Sequence, residues 1–352
     1  MRNADLTIKD IARLSGYSVA TVSRALNSHP DISEAARAKI LEVVAQQDFQ
    51  PNNNAKHLKQ QADTGVAIVV KGIMNLLFAE LVERVQDLLQ SAGQEASVHY
   101  LDEDANEVVY ACHLCRERKP RGILFLGGDL ELFRAGFAPI TVPCVLLTNS
   151  ARELGFANLS SFTTDDAAAA AQVIGLLADK GHRSIGVLGG NFSCSQISFR
   201  RLTGCKEAFA RLGIPFDEAL QYEPCRYSMR DAYAATRRLL ERSPGLTALF
   251  AVGDVIAMGA VRALRDLGRR VPDDLSVVGY DGVEMSRYTV PRLTTVRQDV
   301  TALAERGVDD LLRRIGWNRP PVHEVIPFRM IDGESVAGPA AEKGRGPEPS
   351  RP

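Results

Sequence analysis

From Gly65 onward, continuous apolar runs alternate with amphipathic helical stretches. VAIVV at 66–70 precedes a helical pattern over about 76–92. GILFL (122–126), CVLL (144–147), SIGVLG (184–189), LTALFAV (246–252) and LSVVGY (275–280) repeat the theme. Strands that are apolar on both faces are buried on both faces, so the pattern predicts parallel sheets covered by helices. Two sheets are expected, one before about residue 161 and one after. An Ala-rich helix from Asp165 to Lys180 opens the second unit, and 292–322 is expected to return to the first.

Before residue 50 the period is helical. Ile8, Ile11, Ala12 and Leu14 form one face of a first helix, with Thr7 as its N-cap and Asp10 completing a capping box. Gly16, in the turn Ser15-Gly16-Tyr17, allows a left-handed backbone that a larger residue resists. Ser18 caps a second helix. Its Val22 and Leu26 point inward, and Val19, Ala20, Thr21, Ser23 and Arg24 face outward. Ser33 caps a third helix, whose Ile40, Leu41 and Val44 close the small core. Two short helices joined by a tight turn have the form of a helix-turn-helix, which sets its second helix in the DNA major groove. An ordinary three-helix domain without DNA shares that period. PNNNAKHLKQQ (51–61) is polar apart from Ala55 and Leu58, one turn apart. A helix this short is marginal in water and is expected to order only against a partner. A projecting Leu flanked by Lys56 and Lys59 suits a minor groove, where apolar wedges unstack base steps.

On the words TIKDIARLSG, SVATVSRALN, ISEAAR and PNNNAKHL, residues 7–61 resemble the headpiece and hinge helix of the LacI/GalR family of bacterial transcriptional regulators. GHRSIGVLGG, RLTGCKEAF, ALFAVGDVIAMGAVRALRDLGRRVPDDLSVVGYDG and PRLTTVRQD resemble its effector-binding core, so the likeness runs over about residues 6–335. It implies an all-α three-helix helix-turn-helix headpiece at 1–50 and a hinge helix at 51–62. It implies next an α/β core of two doubly wound parallel-sheet lobes, periplasmic-binding-protein-like, at 63–336. The N-lobe would span about 63–161 and 292–322, and the C-lobe about 162–291 and 323–336. The resemblance further implies a homodimer reading a pseudo-palindromic operator in double-stranded DNA, with one recognition helix per half-site.

Val19 and Ala20 match the family's principal specificity positions. Both are apolar, able to meet a thymine methyl or to leave room for Arg24 to reach a guanine edge. Thr21, Ser23 and Asn27 are candidates for phosphate or base hydrogen bonds, and Ser18 and Thr7 for contacts at helix ends. The hinge candidates are Asn52, Ala55, Lys56 and Leu58, with Leu58 as a wedge at a flexible pyrimidine–purine step. Packing of Leu58 against its own core is the other reading.

In paired α/β lobes, ligands lie beyond the carboxyl ends of the strands. Asn75 follows the first strand, Asp165 follows SFTT, Arg201 opens the helix after GVLGGN, Asp254 follows LFAV, and Asp281 follows LSVVGY. Carboxylates and an Arg converging on a cleft suit polyhydroxylated ligands such as sugars. Arg201 and Asp281 match the family's effector-contacting positions. Asp165 and Asp254 equally suit helix N-caps. Gln298, in TTVRQD, stands as a pocket-floor residue or a structural one. Many family members read Asn-Pro-Phe-Phe where this chain has Asn75-Leu76-Leu77-Phe78, and Asn-Asp where it has Gly253-Asp254. One amide and one aromatic surface are thereby lost, which leaves a phosphorylated or non-sugar effector open. Gly186 to Gly190 could approach a phosphate, but a strand–helix turn reads the same way.

Net charge over the 352 residues is −1. Residues 1–62 carry 8 Lys+Arg against 6 Asp+Glu, and the remainder 34 against 37. Specificity would therefore rest on placed contacts and a second subunit more than on a large field. No apolar run reaches the ~18 residues of a membrane span, and the N-terminus lacks a signal-peptide core. The expected location is bacterial cytoplasm, nucleoid-associated when bound to an operator. The six cysteines have no framework spacing, and Cys112-His113-Leu114-Cys115 lacks the second ligand pair a metal site needs. No metal or cofactor is expected, and no enzyme, because no nucleophile elbow or Walker lysine is present. His182 precedes a strand and is read as structural. The tail 337–352 is rich in Pro, Gly and charge, is expected to be disordered, and offers no apolar heptad for tetramerisation. The reading is a sequence-specific DNA-binding transcriptional regulator, a repressor, whose operator affinity is set by a small-molecule effector, a sugar or sugar derivative. Whether that effector induces or corepresses is open. The alternative is a cytoplasmic ligand sensor acting through a protein partner without DNA binding.

Overall fold

Helices α1 (Ile8–Ser15), α2 (Val19–Leu26) and α3 (Glu34–Gln46) belong to the first of two units, Met1–Ala62 and Asp63–Pro352. The computed structural model describes residues 8–26, 32–46, 65–190, 197–317 and 319–339. Ile11, Val22 and Ile40 are fully buried, with Ala12 and Ala25 beside them. Burial of each large side chain contributes roughly 1.5–3 kcal/mol, so this is a small core. Gly16 takes φ +76° between the first two helices, and its N–H donates to Ala12 O at 3.1 Å. Leu14 and Leu41, expected in the core, are exposed. On α1 the buried stripe is Ile11, Ala12 and Ser15, and Leu14 lies about 200° round the helix from Ala12. On α3 the stripe is Ala36 and Ile40 with Val44 packed against it, and Leu41 sits about 100° round the helix from Ile40.

The second unit holds two six-stranded sheets. The first contains β1 (Val66–Lys71), β2 (Ala96–Leu101), β3 (Gly122–Leu126), β4 (Cys144–Leu147), β5 (Leu159–Thr164) and β11 (His323–Ile326). Its order is β11-β5-β4-β3-β1-β2, and every pair is parallel. The second contains β6 (Ile185–Leu188), β7 (Tyr222–Glu223), β8 (Ala248–Ala251), β9 (Ser276–Asp281), β10 (Thr294–Arg297) and β12 (Arg329–Ile331). Its order is β12-β10-β9-β8-β6-β7, and only the β10–β12 pair is antiparallel. Helices α4 (Leu76–Ser91), α5 (Glu107–Glu117), α6 (Leu130–Gly136), α7 (Asp166–Asp179), α8 (Ile197–Leu212), α9 (Glu218–Gln221), α10 (Met229–Arg242), α11 (Asp254–Asp266) and α12 (Val300–Gly316) connect them.

The chain crosses between the sheets after β5, after β10 and after β11. Two segments lie opposite to expectation. Thr294–Arg297, assigned above to the first lobe, pairs with β9 in the second, where Leu293 and Val296 join the core. His323–Ile326, assigned to the second lobe, pairs with β5 in the first, where Ile326 is buried. Between them α12 packs Leu303, Ala304, Val308 and Leu311 onto the first sheet. The switch therefore falls at Gln298, and it follows which core each apolar side chain fills. Ala337, expected to open the tail, is held in the second lobe. Its N–H donates to Ser276 Oγ at 3.0 Å, and its carbonyl lies 2.8 Å from His182 Nε2. His182 is buried, with Nδ1 2.9 Å from Thr247 Oγ1. No described helix is long and apolar enough to cross a membrane.

Candidate functional site

A cleft of about 690 Å³, including its open mouth, lies between the two lobes at the carboxyl ends of β1, β3, β4 and β9. The first lobe contributes Lys71, Asn75, Phe78, Glu103, Asp129 and Thr148, and the second Ser198, Arg201, Tyr227 and Asp281. Strand ends converge here because parallel strands all point their carboxyl termini the same way.

Arg201 is placed by helix packing. Gly204, one turn further along α8, has space for no Cβ, since one would lie 2.1 Å from Ala167 O. That close approach of α8 to α7 brings Arg201 onto Asp166, with Nε donating to Oδ1 at 2.8 Å. Nη1 donates to Val252 O at 2.5 Å and to the Tyr227 hydroxyl at 3.4 Å. Nη2 lies 3.7 Å from Asp281 Oδ1, and the guanidinium carbon stacks 3.6 Å from the Tyr280 ring centroid. The Tyr280 hydroxyl also donates to Asp166 Oδ1, at 2.8 Å. Burial raises the Asp166 carboxyl above its usual range, against the pull of Arg201. Burial likewise pushes Asp281 up to about 7, again opposed by Arg201.

Two of the six sequence-predicted cleft residues fill the second-lobe wall as read, Arg201 and Asp281. Asn75 lines the first-lobe wall and caps α4, accepting from Leu77 N at 3.0 Å. The other three lie off the cleft. Asp165 is an exposed N-cap of α7, accepting from Ala168 N at 3.0 Å. Its neighbour Asp166 is the buried carboxylate, since one step along a helix turns a side chain by about 100°. Asp254 is a strut. It accepts from Thr295 Oγ1 at 2.6 Å and from Val283 N at 2.9 Å, and burial followed by the Asp281 charge holds its carboxyl well above the usual range. Gln298 bridges the crossovers. Its Nε2 donates to Asp281 Oδ1 at 2.8 Å, and its Oε1 accepts from Thr164 Oγ1 at 3.0 Å.

Six polar cleft residues were not singled out from sequence: Lys71, Glu103, Asp129, Thr148, Ser198 and Tyr227. Lys71 donates to Glu107 Oε2 at 2.6 Å, and Glu107 Oε1 accepts from Asp129 N at 2.6 Å. Lys71 could have been found as a lone charge ending an apolar strand, VAIVVK. Tyr227 sits in the short irregular segment between β7 and α10 and carried no sequence signal.

On the headpiece, Ser18 Oγ accepts from Thr21 N at 3.2 Å and lies 2.8 Å from Thr21 Oγ1. Val19 and Arg24 are exposed on α2. Ala20 and Ser23 belong to that helix, and their side chains lie outside the described set. Thr7, Asn27, Asn52, Ala55, Lys56 and Leu58 lie outside the described residues. Cys112 and Cys115 are free thiols on α5, and burial raises that of Cys115.

A family described as bacterial regulatory proteins, lacI family, matches residues 7–52, and a periplasmic binding protein-like domain matches 174–336. The chain is 32% identical to the HTH-type transcriptional regulator MalR of Clostridium butyricum, over 94% of this chain and 99% of that one. Among solved structures it is similar to a transcriptional regulator CelR–cellobiose complex, with TM-score 0.68 and 26% identity, covering 94% of this chain and 99% of that one. It is also similar to a LacI family transcriptional regulator from Enterococcus faecium with bound ribose, with TM-score 0.69 and 25% identity, covering 78% and 98%.

Proposed function

We infer, from a chain that belongs to the LacI/GalR family of DNA-binding transcriptional regulators, that it represses transcription and that a neutral polyhydroxylated molecule between the lobes sets its grip on an operator. The observation that carries the choice of ligand is the state of the two cleft cations. Lys71 is paired with the buried Glu107, and Arg201 with the buried Asp166. Neither retains the uncompensated charge that a phosphate requires. Asp281, Asp129, Asn75, Ser198 and Thr148 offer hydroxyl-sized partners, and Phe78 and Tyr227 offer apolar faces for a sugar ring. Two structural relatives carry cellobiose and ribose.

A molecule that touches Asn75 on one lobe and Arg201 and Asp281 on the other binds the closed arrangement better than the open one. Closing shifts the crossovers at Thr164 and Gln298, and with them the spacing of the two hinge segments in a homodimer. Operator affinity then changes by the coupling free energy, typically about 1–3 kcal/mol, and the operator changes ligand affinity by the same factor. Val19, Ala20 and Arg24 read the major groove, and Leu58 wedges the minor groove at the dyad. The alternative of a sensor without DNA binding has no structural observation in its favour.

The test is genomic footprinting in a bacterial cytoplasm, then titration of the recovered operator at several salt concentrations with cellobiose, ribose and ribose 5-phosphate. A steep salt dependence and a shift of roughly 5–150-fold with a neutral sugar are expected. Response to the phosphate alone overturns the ligand class, and absence of any site overturns the operator reading.

A further inference from the structure

Arg226, in the loop between β7 and α10, reaches from the second lobe to three consecutive carboxylates of the first. Nη2 lies 2.6 Å from Asp102, Nη1 2.8 Å from Asp104, and Nε 3.8 Å from Glu103. The next residue extends the contact. The Tyr227 N–H donates to Glu103 Oε2 at 3.2 Å. Glu103 and Tyr227 both line the cleft, and the Tyr227 hydroxyl lies 3.1 Å from Ser198 Oγ. The acidic turn is shaped from within, since Asp102 Oδ1 also accepts from Asp104 N at 3.0 Å.

Topology gives this contact leverage. The crossings run from β5, β10 and β11, all at one side of their sheets. β2 and β7, whose following loops carry the acids and Arg226, are the opposite edge strands. The contact therefore sits across the mouth from the crossings, where a small rotation opens the lobes widest.

We propose that Arg226 is a clasp which draws the free edges of the cleft together and seats Glu103 and Tyr227 as its outer wall. This deepens the reading of the cleft as the effector site. The clasp makes lobe closure partly electrostatic, so the ligand-free protein already populates a closed form. Apparent ligand affinity scales with that population. The side chains of Arg226, Asp102 and Asp104 are 41%, 64% and 63% exposed, so solvent and salt reach them. A single exposed pair of this kind holds little, but three acids on one guanidinium form a network. The clasp is thus strong enough to bias closure and weak enough to release.

Hydrogen exchange read by mass spectrometry on the full, ligand-free chain tests this. Arg226→Ala is expected to speed exchange at least ten-fold both in the 224–229 segment and in the 101–106 segment, which belong to different lobes. Raising NaCl to 0.5 M should do the same to the wild type. Strands 66–70 and 248–251 should keep their protection in both cases. Arg226→Lys should fall between, and Arg226→Glu combined with Asp102→Lys and Asp104→Lys should recover protection. Unchanged exchange in Arg226→Ala, indifference to salt, or equal loss in the two core strands overturns the clasp. No ligand enters these measurements, so their failure is separable from that of the effector reading, which the sugar titrations test on their own.

Discussion

Asp166 and Arg201 are joined by a 2.8 Å bond where both side chains are almost wholly excluded from water. The pair orients the guanidinium so that its remaining nitrogens face Val252 O, Tyr227 and Asp281. Removing one partner strands the other. Asp166→Ala should lower unfolding stability by about 3–5 kcal/mol, read from the urea midpoint with unchanged slope. A loss under 1 kcal/mol would show that the buried charge finds another partner.

Asp281 predicts a pH dependence. Its carboxyl ordinarily ionises near 3.8 and is pushed by burial up to about 7 in the folded chain. Between those values the unfolded chain releases the proton while the folded chain keeps it. Its contribution to stability is therefore largest at low pH and declines as pH rises from about 4 to about 7. Asp281→Asn keeps an acceptor for Gln298 and tolerates the positive φ of 106° at this position. It should flatten the curve across that window, by at most about 1.4 kcal/mol per pH unit. His182 and His323, both lowered by burial, act in the opposite sense and cancel in the comparison with wild type. Parallel curves for the two proteins would remove Asp281 as the titrating group.

Asp254 should behave as structure. Asp254→Ala orphans the Val283 N–H, at about 1–3 kcal/mol, and leaves the Thr295 hydroxyl only its longer 3.4 Å bond to Val296 O. The melting temperature should fall while the ranking of sugars in a thermal-shift panel stays the same. A changed ranking would return Asp254 to the ligand.

Ser18 separates capping from DNA contact. Its Oγ satisfies the Thr21 N–H. Ser18→Ala should cost the headpiece about 1 kcal/mol, and Ser18→Asp should restore the cap. If the hydroxyl also meets a phosphate, the Asp variant regains thermal stability but binds operator more weakly than the Ala variant. Equal affinities would leave Ser18 a cap alone.

Buried central strands were legible because their period is unambiguous: VAIVV, GILFL, CVLL and LSVVGY all form strands where they stand. The edge strands β2, β7, β11 and β12 were not, because half-exposed or two-residue strands carry little apolar signal. Lobe membership at 294–297 and 323–326 was misread for a related reason. Short segments of similar hydropathy can fill either core, and only pairing decides. Within the cleft, Arg201 and Asp281 were legible at strand and helix ends. Asp165 and Asp166 were not separable, since adjacent acids at a helix start swap roles when the helix begins one residue earlier or later. Tyr227 and Glu103 come from loops whose geometry no local pattern encodes.

The three crossings also limit how the gene can be cut. A chain stopped at Thr164 would hold five strands of the first sheet but not β11, leaving β5 as a bare edge open to pairing with other copies. It would also lack α12, exposing the apolar surface that this helix covers. Neither lobe is a contiguous fragment, so a premature stop or a misplaced fusion boundary damages both. The two-lobed half of this regulator is inherited whole.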